Sequence, residues 1–76
     1  MSPKLPRVTA REAVRALRRD GWYDDDQVGS HLSLRHPTKV GRVIVPIHVG
    51  KVLKPGLLAQ ILKDASLSVD AFRSLL

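Results

Sequence analysis

The chain has no cysteine. That single absence removes disulfides, thiolate catalysis and cysteine-based zinc sites. It also has no apolar run near the roughly 20 residues needed to span a bilayer, and residues 1–6 are too short and too polar for a signal peptide. The expectation is a soluble cytoplasmic protein with no membrane partner. Length is limited too: 76 residues leave no room for a second domain, so residues 1–76 read as one. A chain this size buries only roughly 60% of the surface its unfolded form exposes, enough for one thin core. Enzymes of the Rossmann or barrel type, which enclose a cofactor, are excluded. Internal repeats, low-complexity segments and linkers are also missing. What remains is an ordinary folded composition, 43% hydrophobic and 26% charged, which excludes wholesale disorder.

Acidic residues are the scarce charge. Seven Asp and Glu stand against thirteen Lys and Arg, for a net charge of +6 and a pI near 10.6. Such a balance favours a polyanionic partner, either nucleic acid or an acidic protein. Three of the seven acids are adjacent, at Asp24, Asp25 and Asp26, so the rest of the surface is more basic than the average.

Patterning gives an α+β order, α-β-β-β-α with a short C-terminal helix. Thr9 and Glu12 form a capping box, with Val8 placed to staple onto Ala13. The spacing predicts a first helix over 9–20, with Ala10, Ala13, Val14 and Leu17 inward and Arg7, Arg11, Arg15 and Arg18 on another face. Gly21 is the expected left-handed stop. A poor first strand follows over 22–26, then a turn over 27–30. Residues 31–36 alternate, with Leu32 and Leu34 on one side and His31, Ser33 and Arg35 on the other. After a turn over 37–41, residues 42–49 alternate again, Val43, Val45, Ile47 and Val49 against Arg42, Ile44, Pro46 and His48. Pro46 cannot donate to a ladder and marks an edge strand. A basic loop over 50–56 leads to a second helix from 56 or 57 to 65. Ser68 caps a last helix with apolar Val69, Phe72, Leu75 and Leu76. Helices at both ends of a three-stranded meander cover one sheet face and leave the other wet.

The two alternating strands must pair with aliphatic faces on the same side. The favoured register leaves residues 38–41 as a loop between Pro37 and Arg42 and sets His31 opposite His48, about 5 Å apart on the open face. The register two residues shorter needs Thr38 and Lys39 as a two-residue turn, without the Asn-Gly or Gly-X chemistry such turns prefer. Two imidazoles sharing a face with Arg35 suit acid–base chemistry near neutrality. On a basic surface the matching reaction is metal-independent RNA cleavage. A base takes the ribose 2′-OH proton, an acid protonates the leaving 5′-oxygen, and Arg35 or Lys51 stabilises the phosphorane charge. The bland reading is three surface histidines. A metal site from His31, His48 and an aspartate lacks diagnostic spacing; no metal or cofactor is expected. The arginine stripe of the first helix is a solvated face or a ridge for RNA or a partner. Lys51 and Lys54 precede a helix N-terminus, where free N–H groups and the helix dipole favour an anion.

Several pieces in order carry a resemblance: Asp20-Gly21-Trp22, Gly29-Ser30-His31, Val45-Pro46-Ile47-His48, Leu53-Lys54-Pro55-Gly56-Leu57-Leu58, Ile61-Leu62-Lys63-Asp64-Ala65 and Leu67-Ser68-Val69-Asp70-Ala71-Phe72. Together they resemble the HicA-like mRNA interferase toxins over about residues 9–76. The resemblance implies a double-stranded-RNA-binding-domain-like fold, ribosome-independent mRNA cleavage and neutralisation by a HicB-like antitoxin. It puts the catalytic histidine at His31, with His48 second, and Gly29 and Ser30 just before His31 are RNA-binding candidates. Arg35, Lys51 and Lys54 are the further RNA-binding candidates. The acidic run before Gly29 departs from the family pattern, and so does Ser66, where a glycine is common. A non-catalytic RNA-binding domain of the same shape is the alternative function, and a protein-binding module a third. Cleavage-site preference and oligomeric state are not readable from the residues.

Overall fold

The computed structural model describes residues 4–76; residues 1–3 of the expected single domain lie outside the described part. Its first helix, α1 (Ala10–Arg19), starts on the expected capping box. The Glu12 N–H donates to Thr9 Oγ1 at 3.2 Å, and Thr9 N–H donates to Glu12 Oε1 at 2.9 Å. The Thr9 backbone hydrogen bond holds the Glu12 carboxyl below its usual range. Ala10, Ala13, Val14, Ala16 and Leu17 are buried, together with Val8. The helix stops where Gly21 turns left-handed at φ +109°. Trp22 N–H then reaches back to Leu17 O and Gly21 N–H to Arg18 O, both at 3.0 Å, closing a Schellman motif.

Three antiparallel strands follow in sheet order β1 (Tyr23–Val28), β2 (His31–Arg35) and β3 (Arg42–Pro46). The acidic run lies inside β1 rather than at its end, with a bulge at Asp25 between the Asp24 and Asp26 pairings. Leu32 lies opposite Val45 and Leu34 opposite Val43, and all four are buried. The helices α2 (Pro55–Asp64) and α3 (Val69–Leu75) complete the order. Both α1 and α2 pack over β3, and α3 packs on α1. One core joins the two layers, its largest buried side chains being Trp22, Phe72, Leu17, Leu34, Leu58 and Ile61. The other sheet face is open, and every residue of β1 is exposed. The backbone of Leu53 donates to Val8 O at 2.8 Å, and Thr9 bridges Val52, so the basic loop is tied to the start of α1.

The strand register differs from the sequence expectation. His31 lies opposite Pro46, not His48, and Arg35 opposite Arg42. The register two residues shorter wins without any tight turn at Thr38 and Lys39. The ladder ends at Arg35 and Arg42, and residues 36–41 form a longer loop folded onto its own His36. The His36 ring meets Trp22 edge-on at 5.1 Å between centroids. Its Nδ1 accepts from Thr38 N–H and Lys39 N–H, each at 3.1 Å, and Nε2 lies 2.7 Å from Asp20 O. With Nδ1 accepting, Nε2 carries the hydrogen and donates. Lys39 closes the loop by donating from Nζ to Asp20 Oδ2 at 2.6 Å and to Ala65 O at 2.9 Å.

Strand β3 also ends early, at Pro46 rather than at residue 49. Ile47 N–H donates to Ser30 O at 2.6 Å, so Pro46 falls at a non-bonded pair with its missing N–H at the free edge. Val49 then leaves the sheet and is 73% exposed.

Candidate active site

The β1–β2 connection is a two-residue turn, since Val28 lies opposite His31. Gly29 takes φ +58°, the sign that a type II′ turn needs at its first central position. A Cβ on Gly29 would meet nothing within 4 Å. No protein atom therefore requires a glycine there, and the positive φ is what the turn itself asks of this position. Ser30 follows, its carbonyl clamped by Ile47, and His31 opens the central strand.

His31 is exposed on the open face. Among the described residues, no hydrogen bond engages its ring. Its neighbours across the sheet are Val28 and Pro46, the latter at a non-bonded pair where side chains approach most closely. Pro46 also lines a cleft of about 360 Å³ with His48, Lys51, Lys54, Ala10 and Leu57. His48 therefore stands past the end of β3, in a turn that Lys51 N–H closes on His48 O at 3.2 Å, with Gly50 at φ +77°. Lys54 is the N-cap residue of α2 and makes no side-chain cap; Pro55 begins the helix, whose first turn holds no acid. Both lysines and His48 thus gather around Pro46, the residue paired with His31, while His31 itself is not among the residues lining the cleft.

Arg35 does not join them. It shares the open face with His31 but lies four residues along β2, roughly 13 Å away. Its Nε is 3.4 Å from Asp25 Oδ2, so the expected grouping of Arg35 with both imidazoles does not form. The acidic run is divided between the faces. Asp24 turns to the helix side, where Arg18 holds it through Nε at 3.1 Å and Nη2 at 2.7 Å. That hydrogen bond raises the Arg18 guanidinium above its ordinary value. Asp26 lies opposite Ser33. Among the described residues, no three His, Cys, Asp or Glu side chains group as metal ligands, and no helix is long and apolar enough to cross a membrane.

Sequence reasoning missed His36 and Lys39. Their signal was the Asp20-Gly21-Trp22 string, which the fold uses as a latch: Asp20 receives both side chains and Trp22 packs on the imidazole. A family model described as the HicA toxin of bacterial toxin–antitoxin matches residues 10–67. No curated protein matches the chain.

Proposed function

Because the chain belongs to the HicA toxin family of bacterial toxin–antitoxin systems, we propose that it is a metal-independent endoribonuclease of the cytoplasm. Its substrate is mRNA, its effect is arrest of translation, and its regulator is a HicB-like antitoxin. One observation carries the reading. Exposed His31 adjoins Pro46, which lines the cleft holding His48, Lys51 and Lys54.

In this reaction the neutral His31 imidazole removes the proton from a ribose 2′-OH. The resulting alkoxide attacks the adjacent phosphorus, and the bond to the 5′-oxygen breaks as that oxygen takes a proton. His48 supplies that proton or orients the phosphate. Lys51 and Lys54 hold the phosphate and offset its added charge in the phosphorane. Gly29 and Ser30 set the position of His31 through the turn. Arg35, at the far end of the strand, contacts RNA beyond the scissile phosphate. The products carry a 2′,3′-cyclic phosphate and a 5′-hydroxyl.

A second reading, an RNA-binding domain without catalysis, draws on the lack, among the described residues, of any hydrogen bond orienting the His31 ring. Incubation of the purified chain with mRNA in excess EDTA separates the two. Cleavage with 5′-hydroxyl ends, lowered about 100-fold or more in His31→Ala with an unchanged circular dichroism spectrum, is the expected result. Tight binding with intact RNA supports the second reading, and 5′-phosphate products overturn the mechanism.

A further inference from the structure

The arginine stripe of the first helix takes no part in the cleavage chemistry, yet the fold gives it a defined shape. Between α1 and the helix-side face of β1 runs an open groove of about 400 Å³. It exists because β1 extends beyond the helix layer and stays exposed along its whole length. Arg11, Arg15 and Arg18 form one rim. The floor is aliphatic: Val14 and Leu32 from the core, and Ile47 packed against it. Asp24 and Gln27 form the far wall.

The charges in this groove are unequal in availability. Arg18 is held by Asp24, whereas no ion pair among the described residues engages Arg11 or Arg15. Two guanidiniums without an ion pair among the described residues, Arg15 having only a longer-range attraction to Glu12, therefore stand one helical turn apart, about 6 Å along the axis, beside an apolar floor. RNA suits this surface badly. Single strands are gripped by stacking bases on aromatic side chains, and this groove has none. Trp22 and Phe72 are buried, and Tyr23 pairs opposite Arg35 on the other face. Asp24 would also repel a chain with a charge on every unit. A polypeptide meets both demands, because two carboxylates can be spaced to match Arg11 and Arg15 while aliphatic neighbours cover Val14, Leu32 and Ile47. Alternate residues of an extended segment lie roughly 6.6 Å apart, close to that arginine spacing.

The geometry points to a docking site for the antitoxin: the groove between α1 and β1 receives an acidic segment of it that also carries aliphatic side chains. This rests on the toxin–antitoxin reading, and it places the contact on the opposite side of the sheet from His31. The segment adds affinity by tethering the antitoxin, without itself occupying the site of RNA cleavage.

The test is the double charge reversal Arg11→Glu with Arg15→Glu, measured against the cognate antitoxin by calorimetry and against mRNA by cleavage rate. Expected are a loss of antitoxin affinity of about tenfold or more, slower association with a weaker salt dependence, and a near wild-type cleavage rate. Arg11→Lys with Arg15→Lys should retain most of the affinity, which a folding defect would not explain. Wild-type antitoxin affinity in the reversed variant overturns the proposal. So does loss of RNA cleavage or binding, with or without loss of antitoxin affinity, since the groove would then be part of the substrate track. If the wild-type chain binds its antitoxin but leaves RNA intact, the nuclease reading fails and the docking site stands on the affinity data. If it cleaves RNA but binds no antitoxin, the docking site fails and the nuclease reading stands on the cleavage data.

Discussion

Gly21 and Ser66 occupy the same position after their helices, and only one of them is a glycine. Ser66 sits at φ 54°, with Leu67 N–H bonded to Leu62 O at 2.9 Å and Ser66 N–H to Lys63 O at 3.1 Å. This repeats the Schellman motif of Gly21 with a residue whose Cβ crowds the backbone. Ser66→Gly should therefore stabilise the protein by about 1 kcal/mol, read as a higher denaturant midpoint with an unchanged slope. Gly21→Ala should do the reverse and more strongly. Besides its φ of +109°, a Cβ there would lie 2.7 Å from His36 Nε2, so the imidazole must move and weaken its bond to Asp20. A destabilisation of about 2 kcal/mol or more is expected. Equal stability of the alanine variant and wild type would contradict the latch.

At the scale of elements, α1 depends on its first turn. Its cap is legible in the sequence because Thr9 and Glu12 need only three residues of chain to find each other. Thr9→Ala removes the side-chain acceptor for the Glu12 N–H and should cost about 1 kcal/mol in urea unfolding. The same turn has a pH signature. Glu12 is held below its unfolded-state pKa, so its contribution is present above the ordinary carboxylate range. It is lost as pH falls through the depressed folded value. Carbon-detected NMR titration of Glu12 should give a lowered midpoint in the wild type and a smaller depression in Thr9→Ala, which loses the side-chain contribution but keeps the larger one from the backbone N–H of residue 9. Strand β1 shows the opposite case. Its acids looked like a strand end because their polarity hides any alternation, and both faces of this edge strand prove to be exposed. Charges there protect an open edge from pairing with other chains.

For the whole molecule the governing quantity is its +6 charge. RNA binding should weaken steeply with added salt, because each Lys or Arg contact releases counterions. Lys51→Ala with Lys54→Ala should reduce the log–log salt slope by about 1.4, at roughly 0.7 per contact on a single strand, together with weaker binding. Filter binding between low and physiological salt measures it. An unchanged slope would take the phosphates out of the cleft beside His48.

Short-range chemistry was readable without the fold. The capping box, the Ser68 cap and the helix stops act over three to six residues, and alternation in 31–35 and 42–46 needs only the pleat of a strand. These established the α+β order, the one-sided core and the exposure of His31 on the open face, and the Gly-Ser-His string singled out that histidine. The tertiary structure decided what depends on contacts distant in sequence. The register of β2 against β3 followed from a loop that closes on Trp22, Asp20 and Ala65 through His36 and Lys39. No local turn rule anticipates such a closure. That register moved His48 off the sheet into a cleft with Lys51 and Lys54, whereas the place of Arg35, four residues along β2 from His31, is the same in either pairing. A shift of two residues keeps every aliphatic side chain on its own face, so hydrophobic patterning could not distinguish the two pairings. The closure of the 36–41 loop on Trp22, Asp20 and Ala65 does.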